Sequence, residues 1–504
     1  MAERKLKVAR YGNVDSDYLE RRQLKRGTGF WALWGIGVGI VVDGMYSGWN
    51  EGLAQGGFGG LAIATALVAM LYWCLTFCAA ELTAALPHAG GFYAFTRSAF
   101  GPLGGYLCGM AELAEYILIM GVGVYYIGDL VKGYVSWFPQ PLFWGMFMGG
   151  FTALTVRFPD WAIRMNLWLA WIAVIMLGVL CLGILLSGKV DTGLWFTVSA
   201  QEGVADASPV LPGGIRGIVA ALPYASWFFL ALEAMPLAAE EAKDPVRDLP
   251  PSMVAAMGTL FGLAVFVLIL NTAIPVEVIA EDGQLLQGAA ALARSTQPFD
   301  DGLNVVFGET GFGRQVAGVG AILAGFTGFP ACIYAYSRVC FALSRAGYLP
   351  PALSVTNAQR VPARAAIACG ILSLIVTEAI ALLGGEDTDA GLALIVMSVV
   401  CAVVTYILVM ASYIQLRRSR PNLPRPYRSP WGIAGAFGGT ALATLALVST
   451  LMESTYRLAV GGTVAFLGLA VAYFFLVSRR QLVEEAIDEE TELDEVPSDV
   501  SGGV

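Results

Sequence analysis

Apolar positions in this chain come in long unbroken blocks rather than at the period of a strand or a surface helix. About 20 mostly apolar residues let a helix cross the hydrocarbon core of a bilayer. Twelve such stretches occur, at roughly 29–53, 59–85, 102–131, 137–157, 162–187, 216–239, 252–275, 315–345, 364–384, 390–416, 430–452 and 455–478. The pattern predicts an all-α membrane protein with twelve transmembrane helices. Only two intervening polar segments are long, about 188–215 and 276–313. The first 27 residues hold eight Lys/Arg and no apolar core, so they read as a cytoplasmic segment and not as a cleaved signal peptide.

Charge orients the spans. With the N-terminus inside, 24 of the 30 Lys/Arg fall on the inner side, and only Lys132, Lys189, Arg216, Arg294, Arg314 and Arg457 fall outside. The positive-inside rule then puts both termini in the cytoplasm of a multi-pass protein of an inner or plasma membrane. The outer loops are acidic, with Glu277, Glu281, Asp282, Asp300, Asp301, Glu386, Asp387 and Asp389 among others. Such a face either concentrates cations near an entrance or only keeps the loops soluble. The net charge of −9 is largely local: residues 481–504 carry nine acids and no base, and read as a solvated tail from 479 onward.

Composition then excludes most enzyme chemistry. The 504 residues are 57% hydrophobic and 14% charged, with a mean hydropathy of +0.67. There is one His, His88, and none of the eight Cys forms a CxxC pair, so no zinc, haem or disulfide framework is expected. No cofactor is expected, the scattered bases do not suit nucleic acid, and the oligomeric state cannot be read.

Two spans are unlike the rest. The first, Trp34–Asn50, has glycines at 35, 37, 39, 44 and 48 and Asp43 at its middle; the sixth has Pro223 and Pro236 with Glu233 between them. Backbone freed from a helix is tolerated at membrane depth where it lines a cavity or is buried in protein. Interrupted helices at matching places in spans 1–5 and 6–10 point to an inverted-repeat transporter with a midplane site; close packing through small residues is the alternative. The third span adds Glu112 and Glu115, three apart and so on one helix face. Intramembrane acids are costly and usually mark ion or substrate paths. Unpaired, they hold a proton or await a cation. Tyr46, Trp49, Tyr116, Tyr224, Trp227, Phe228 and Phe229 cluster on the same elements. A desolvated aromatic face attracts an ammonium by about 2 kcal/mol; Trp227 and Tyr116 are the preferred pair.

Three motifs carry a resemblance. Pro87-His-Ala-Gly-Gly-Phe-Tyr-Ala-Phe-Thr-Arg-Ser-Ala-Phe-Gly-Pro102 resembles the loop between spans two and three of the amino acid–polyamine–organocation permeases. Glu240-Glu-Ala-Lys-Asp-Pro-Val-Arg-Asp-Leu-Pro250 is similar to their loop after span six, and Ser337–Pro350 to the inner end of span eight. The likeness covers about 25–480. Ser47–Gly60, Glu115-Tyr116 and Pro223–Glu241 look most like the ethanolamine permease branch.

The resemblance implies a LeuT-like five-plus-five inverted repeat (about 28–187 and 216–416, within a core of 28–416) followed by two helices at 429–478, with alternating access around spans one and six. Amino-acid members hold a substrate carboxylate at a Gly-x-Gly break, where this chain has Asp43-Gly44-Met45. Glu115 falls where those members carry small or neutral residues. Both departures favour a ligand with an amine and no carboxylate, such as ethanolamine. The substrate-binding set expected is Asp43, Gly44, Met45, Tyr46, Glu112, Glu115, Tyr116, Tyr224, Trp227, Phe228 and Ala231, with Trp227 as a lid and Glu233 as the coupling acid of the gate. Proton-coupled relatives carry a Lys in span five; Met165–Ser187 has none, so H+ coupling, Na+ coupling and exchange all stay open. Two alternatives stay open as well: an amino-acid permease or amine exchanger, and a non-translocating sensor or partner subunit.

Overall fold

A computed structural model describes residues 11–12, 18, 20–134, 137–280, 283–384, 390–452 and 456–483. The acids of the tail from Glu484 onward, together with Glu281, Asp282, Glu386, Asp387 and Asp389, lie outside the described residues. Most of the described residues are helical. In order come α1 (Phe30–Val41), α2 (Glu51–Ala85), α3 (Phe92–Phe100), α4 (Pro102–Tyr134), α5 (Gln140–Arg157), α6 (Pro159–Ser187), α7 (Gly214–Ser226) and α8 (Pro245–Asn271). After them come α9 (Pro298–Phe307), α10 (Phe312–Gly325), α11 (Gly328–Arg345), α12 (Ala363–Gly384), α13 (Ala390–Ser419), α14 (Gly432–Met452) and α15 (Arg457–Leu476).

Among the described residues, nine segments are long and apolar enough to cross a membrane. The other three expected stretches fall on Phe30–Met45, on α5, and on α7 with the 3-10 turn Leu232–Ala238. Lipid-facing surface is plain from exposed Trp168, Leu186, Leu382 and Leu469. Exposed apolar side chains on a helical shell suit a hydrocarbon solvent, where backbone polar groups must be satisfied within the helices.

Several boundaries differ from the sequence pattern. The first stretch does not run to 53: α1 stops at Val41, and Glu51 already opens α2, which kinks at Gly57 (φ 62°). The glycine is required there, since a Cβ would lie 2.6 Å from Pro212. The eighth stretch, taken as a plain span, is interrupted between α10 and α11 at Phe326-Thr327. Half of the 87–102 loop is helix α3, and the 276–313 loop contains a hairpin pairing Glu277–Ile279 with Leu285–Gln287 as well as α9. Hydropathy reports depth in the membrane, and it does not register a break whose flanks are equally apolar.

α1 is the buried centre. It packs against α6, α8, α11 and the Leu232–Ala238 turn, and every residue from Leu33 to Val41 is buried. Its glycine stripe permits this approach: a Cβ at Gly35 would sit 2.9 Å from Leu167, and one at Gly39 2.9 Å from Asn166.

Candidate substrate site

The first break follows α1. Val42–Met45 tightens to a 3-10 turn, and the chain then turns through Tyr46–Asn50. Asn50 anchors this segment, its side-chain amide donating to the Leu292 and Ser295 carbonyls at 2.8 and 2.7 Å. Asp43 lies against the first residue of α11, where a Cβ on Gly328 would meet Asp43 Oδ2 at 2.6 Å. A carboxylate is stabilised at a helix N-terminus by the unpaired N–H groups there. Tyr46 donates its hydroxyl to the Ala173 carbonyl of α6 at 2.8 Å and packs on Phe299 of α9. Against Gly39 of α1, Thr327 Oγ1 and Asn166 Oδ1 are buried without a hydrogen-bond partner among the described residues.

The second break falls between the prolines rather than at them. Pro223 lies inside α7 and Pro236 inside the 3-10 turn; the ladder opens over Trp227–Ala231, where Ala231 adopts a left-handed φ of 78°. A non-glycine residue held there is strained, and such strain gathers at sites that move or bind. Trp227 bridges the two breaks. A Cβ on Gly44 would lie 2.5 Å from the Trp227 carbonyl oxygen, and one on Gly48 2.8 Å from its indole Nε1. The remaining aromatics disperse: Phe228 stacks on Trp49, Phe229 packs on Tyr72, and Tyr224 accepts a hydrogen bond from Tyr456 at 2.9 Å on the α13–α15 side.

Three glutamates meet beside the second break. Glu112 and Glu115 from α4 are fully buried, and Glu233 nearly so. Tyr406 of α13 donates to Glu233 Oε1 at 2.5 Å, and its hydroxyl lies 2.8 Å from that of Tyr72 of α2. The Glu115 carboxyl interacts with those of Glu233 and Glu112, yet neither of its oxygens has a partner of ordinary hydrogen-bond geometry among the described residues. Glu112 Oε2 and Glu233 Oε2 are likewise without one, and the Tyr116 hydroxyl reaches Glu112 Oε1 only at 3.5 Å. No ion pair among the described residues involves any of the three, nor Asp43. Sequence reading located the glutamates but missed Tyr72 and Tyr406. Their signal was a hydroxyl in the middle of an apolar span, which has to find a buried partner.

At the arginine-rich end the three quoted motifs meet. Arg345 of α11 grips Glu240 through both nitrogens, at 2.6 and 3.1 Å, and lies 3.0 Å from His88 Nε2. Burial, then Arg345, pushes the His88 pKa down to about 4. Burial alone would raise Glu240, but Arg345 and His88 outweigh it and bring it down to about 2. Arg338 pairs with Glu241 at 2.8 Å, and the Glu241 carbonyl accepts the N–H groups of Gly27 and Thr28, both at 2.9 Å. Glu81 is held by Arg417 and Arg425 at 2.6 and 3.1 Å.

Residues 29–476 match the family model described as amino acid permease. The chain belongs to the amino acid permease family. Relatives of this permease include an uncharacterized transporter of Rhizobium meliloti, 30% identical over 71% of this chain and 73% of that protein. The branched-chain amino acid permease BcaP of Bacillus subtilis is 26% identical over 91% and 94%, and the methylthioribose transporter of the same organism 24% over 79% and 82%. The permease is thus a multi-pass membrane transporter of the wider amino acid–polyamine–organocation group, acting on small molecules.

Proposed function

We propose that this permease carries a small organic cation, ethanolamine fitting best, by alternating access around the breaks after α1 and α7. The reading takes its scaffold as twelve spans, a five-plus-five inverted repeat with two further helices, both termini cytoplasmic. One observation carries it: Glu112, Glu115 and Glu233 are gathered in the interior with unpartnered oxygens and no ion pair among the described residues. Neighbouring buried carboxyls cannot all be ionised unless a cation joins them. An ammonium supplies the charge and up to three donors, and Trp227, partly buried between the breaks, offers a ring face for it. In the empty carrier the Glu115–Glu233 pair shares a proton and releases it to water as the ammonium takes its place, so cation and proton exchange at one site.

Uptake of labelled ethanolamine into proteoliposomes tests this, with unlabelled ethanolamine, choline, alanine or arginine as competitors. Ethanolamine is expected to accumulate and to be displaced by itself but not by alanine. The relatives named for amino acids favour a second reading, an amino-acid permease. Amino-acid uptake, with no ethanolamine uptake, would establish that reading and remove ours.

A further inference from the structure

We propose that the corner between α5 and α6 is a binding site for the phosphate headgroup of an anionic phospholipid. A cavity of about 630 Å³ opens there, lined by Lys25, Arg157, Phe158, Asp160, Trp161 and Arg360. Three separate stretches of chain converge on it, and each is fixed in place. Lys25 is held by both Asp160 oxygens at 2.9 and 2.8 Å. Asn357 ties the loop before α12 to the end of α5, donating to the Val156 carbonyl at 3.1 Å while accepting the N–H groups of Gln359 and Val361 at 3.0 Å. The turn so formed forces Arg360 into a left-handed φ of 57°, a conformation that only glycine adopts without strain.

The result is three cations against one carboxylate. The guanidinium groups of Arg157 and Arg360 make no hydrogen bond or ion pair among the described residues, in contrast to Arg338, Arg417 and Arg425 at the same end of the molecule. Planar guanidinium forks match phosphate geometry. What makes the occupant a lipid is the wall. Phe158 and Trp161 are 57% and 66% exposed beside the cations, and Trp168 projects from α6 two turns further on. Exposed aromatic rings at helix ends mark the level of the headgroups, and basic pockets between spans at that level suit anionic lipids. The headgroup phosphate would sit between Arg157 and Arg360, with its acyl chains along the apolar face of α6.

Native mass spectrometry of the purified full chain, in neutral detergent with equal phosphatidylglycerol and phosphatidylcholine, tests the site. Phosphatidylglycerol should be retained selectively. R157Q or R360Q should each weaken retention about fivefold and the double variant about thirtyfold, the scale of one phosphate contact per lost cation. R157K with R360K should keep most of it. R314Q, which removes the partner of Asp300 elsewhere, should leave it unchanged. Undiminished selective retention by the double variant overturns the proposal. Displacement of the lipid by inorganic phosphate alone would also overturn it, by making the site one for a soluble anion. Unchanged elution and melting of the variants show that they are folded.

Discussion

The permease buries two sets of glutamates, and they are treated in opposite ways. At the arginine-rich end Glu81, Glu240 and Glu241 each have a guanidinium within 2.6–2.8 Å. Near the breaks Glu112, Glu115 and Glu233 have tyrosines and one another. The residue type is the same, and Glu81 and Glu241 are as deeply buried as the second set, Glu240 being partly exposed, so burial does not explain the difference. A neutralised carboxylate is a fastening: its charge is satisfied by the fold and it has nothing left to offer. A carboxylate left without a cation costs the fold free energy, and that cost is recovered only when something positive arrives. The arrangement therefore separates what closes the molecule from what it is proposed to carry.

The contrast can be broken most forcefully at Arg338. Removing one partner of a buried ion pair strands the other, typically at about 3–5 kcal/mol. Arg338→Ala should therefore lower the melting temperature of the purified permease steeply, whereas Glu115→Gln should leave it unchanged or raise it. Comparable melting losses in both variants would erase the distinction. The reverse ranking is expected in ligand binding. Losing a buried charge partner weakens a complex by about 2–5 kcal/mol, so Glu115→Gln should reduce ethanolamine affinity at least thirtyfold in a scintillation proximity assay.

A smaller effect concerns Trp227, the expected lid. In Gly44→Ala the new Cβ meets the Trp227 carbonyl oxygen at 2.5 Å. Overpacking of this kind costs about 1–3 kcal/mol; uptake should slow by an order of magnitude while the protein still folds. Smallest is the response to acid. His88, held at about 4, is neutral in the fold but would take up a proton below its ordinary value of 6.5 when unfolded. Glu240, held at about 2, contributes stability above 4.5 that fades as pH falls toward 2. Both signs agree: melting temperature should decline gradually from pH 6.5 toward 4 and continue below it. Substituting His88→Gln should remove the upper part of that slope and leave the lower part.

Much of the candidate site is legible in the chain because membrane burial makes ionisable residues conspicuous. Asp43, Glu112, Glu115 and Glu233 stand out in apolar stretches without reference to any neighbour. Their company could not be seen. Tyr406 lies 173 residues from Glu233, and nothing in either segment announces the other. Asp43 and Glu115 were grouped as one acidic set, but Asp43 lies at the start of α11, a helix end hidden within a continuous apolar run. The expected aromatics do not all face one place: Trp227 lies between the breaks, whereas Tyr224 bonds to Tyr456 and Phe228 stacks on Trp49.

The sequence by itself determined that this is a helical membrane protein, where most of its apolar stretches lie, and which side chains are too costly to be there without a use. Those are properties of each residue's transfer from water to hydrocarbon, and they add up along the chain. Tertiary structure alone decided which glutamates received an arginine and which were left with tyrosines. Pairing depends on distances of a few ångströms between segments hundreds of residues apart, and only the packing of α4, α7, α11 and α13 around the breaks sets those distances.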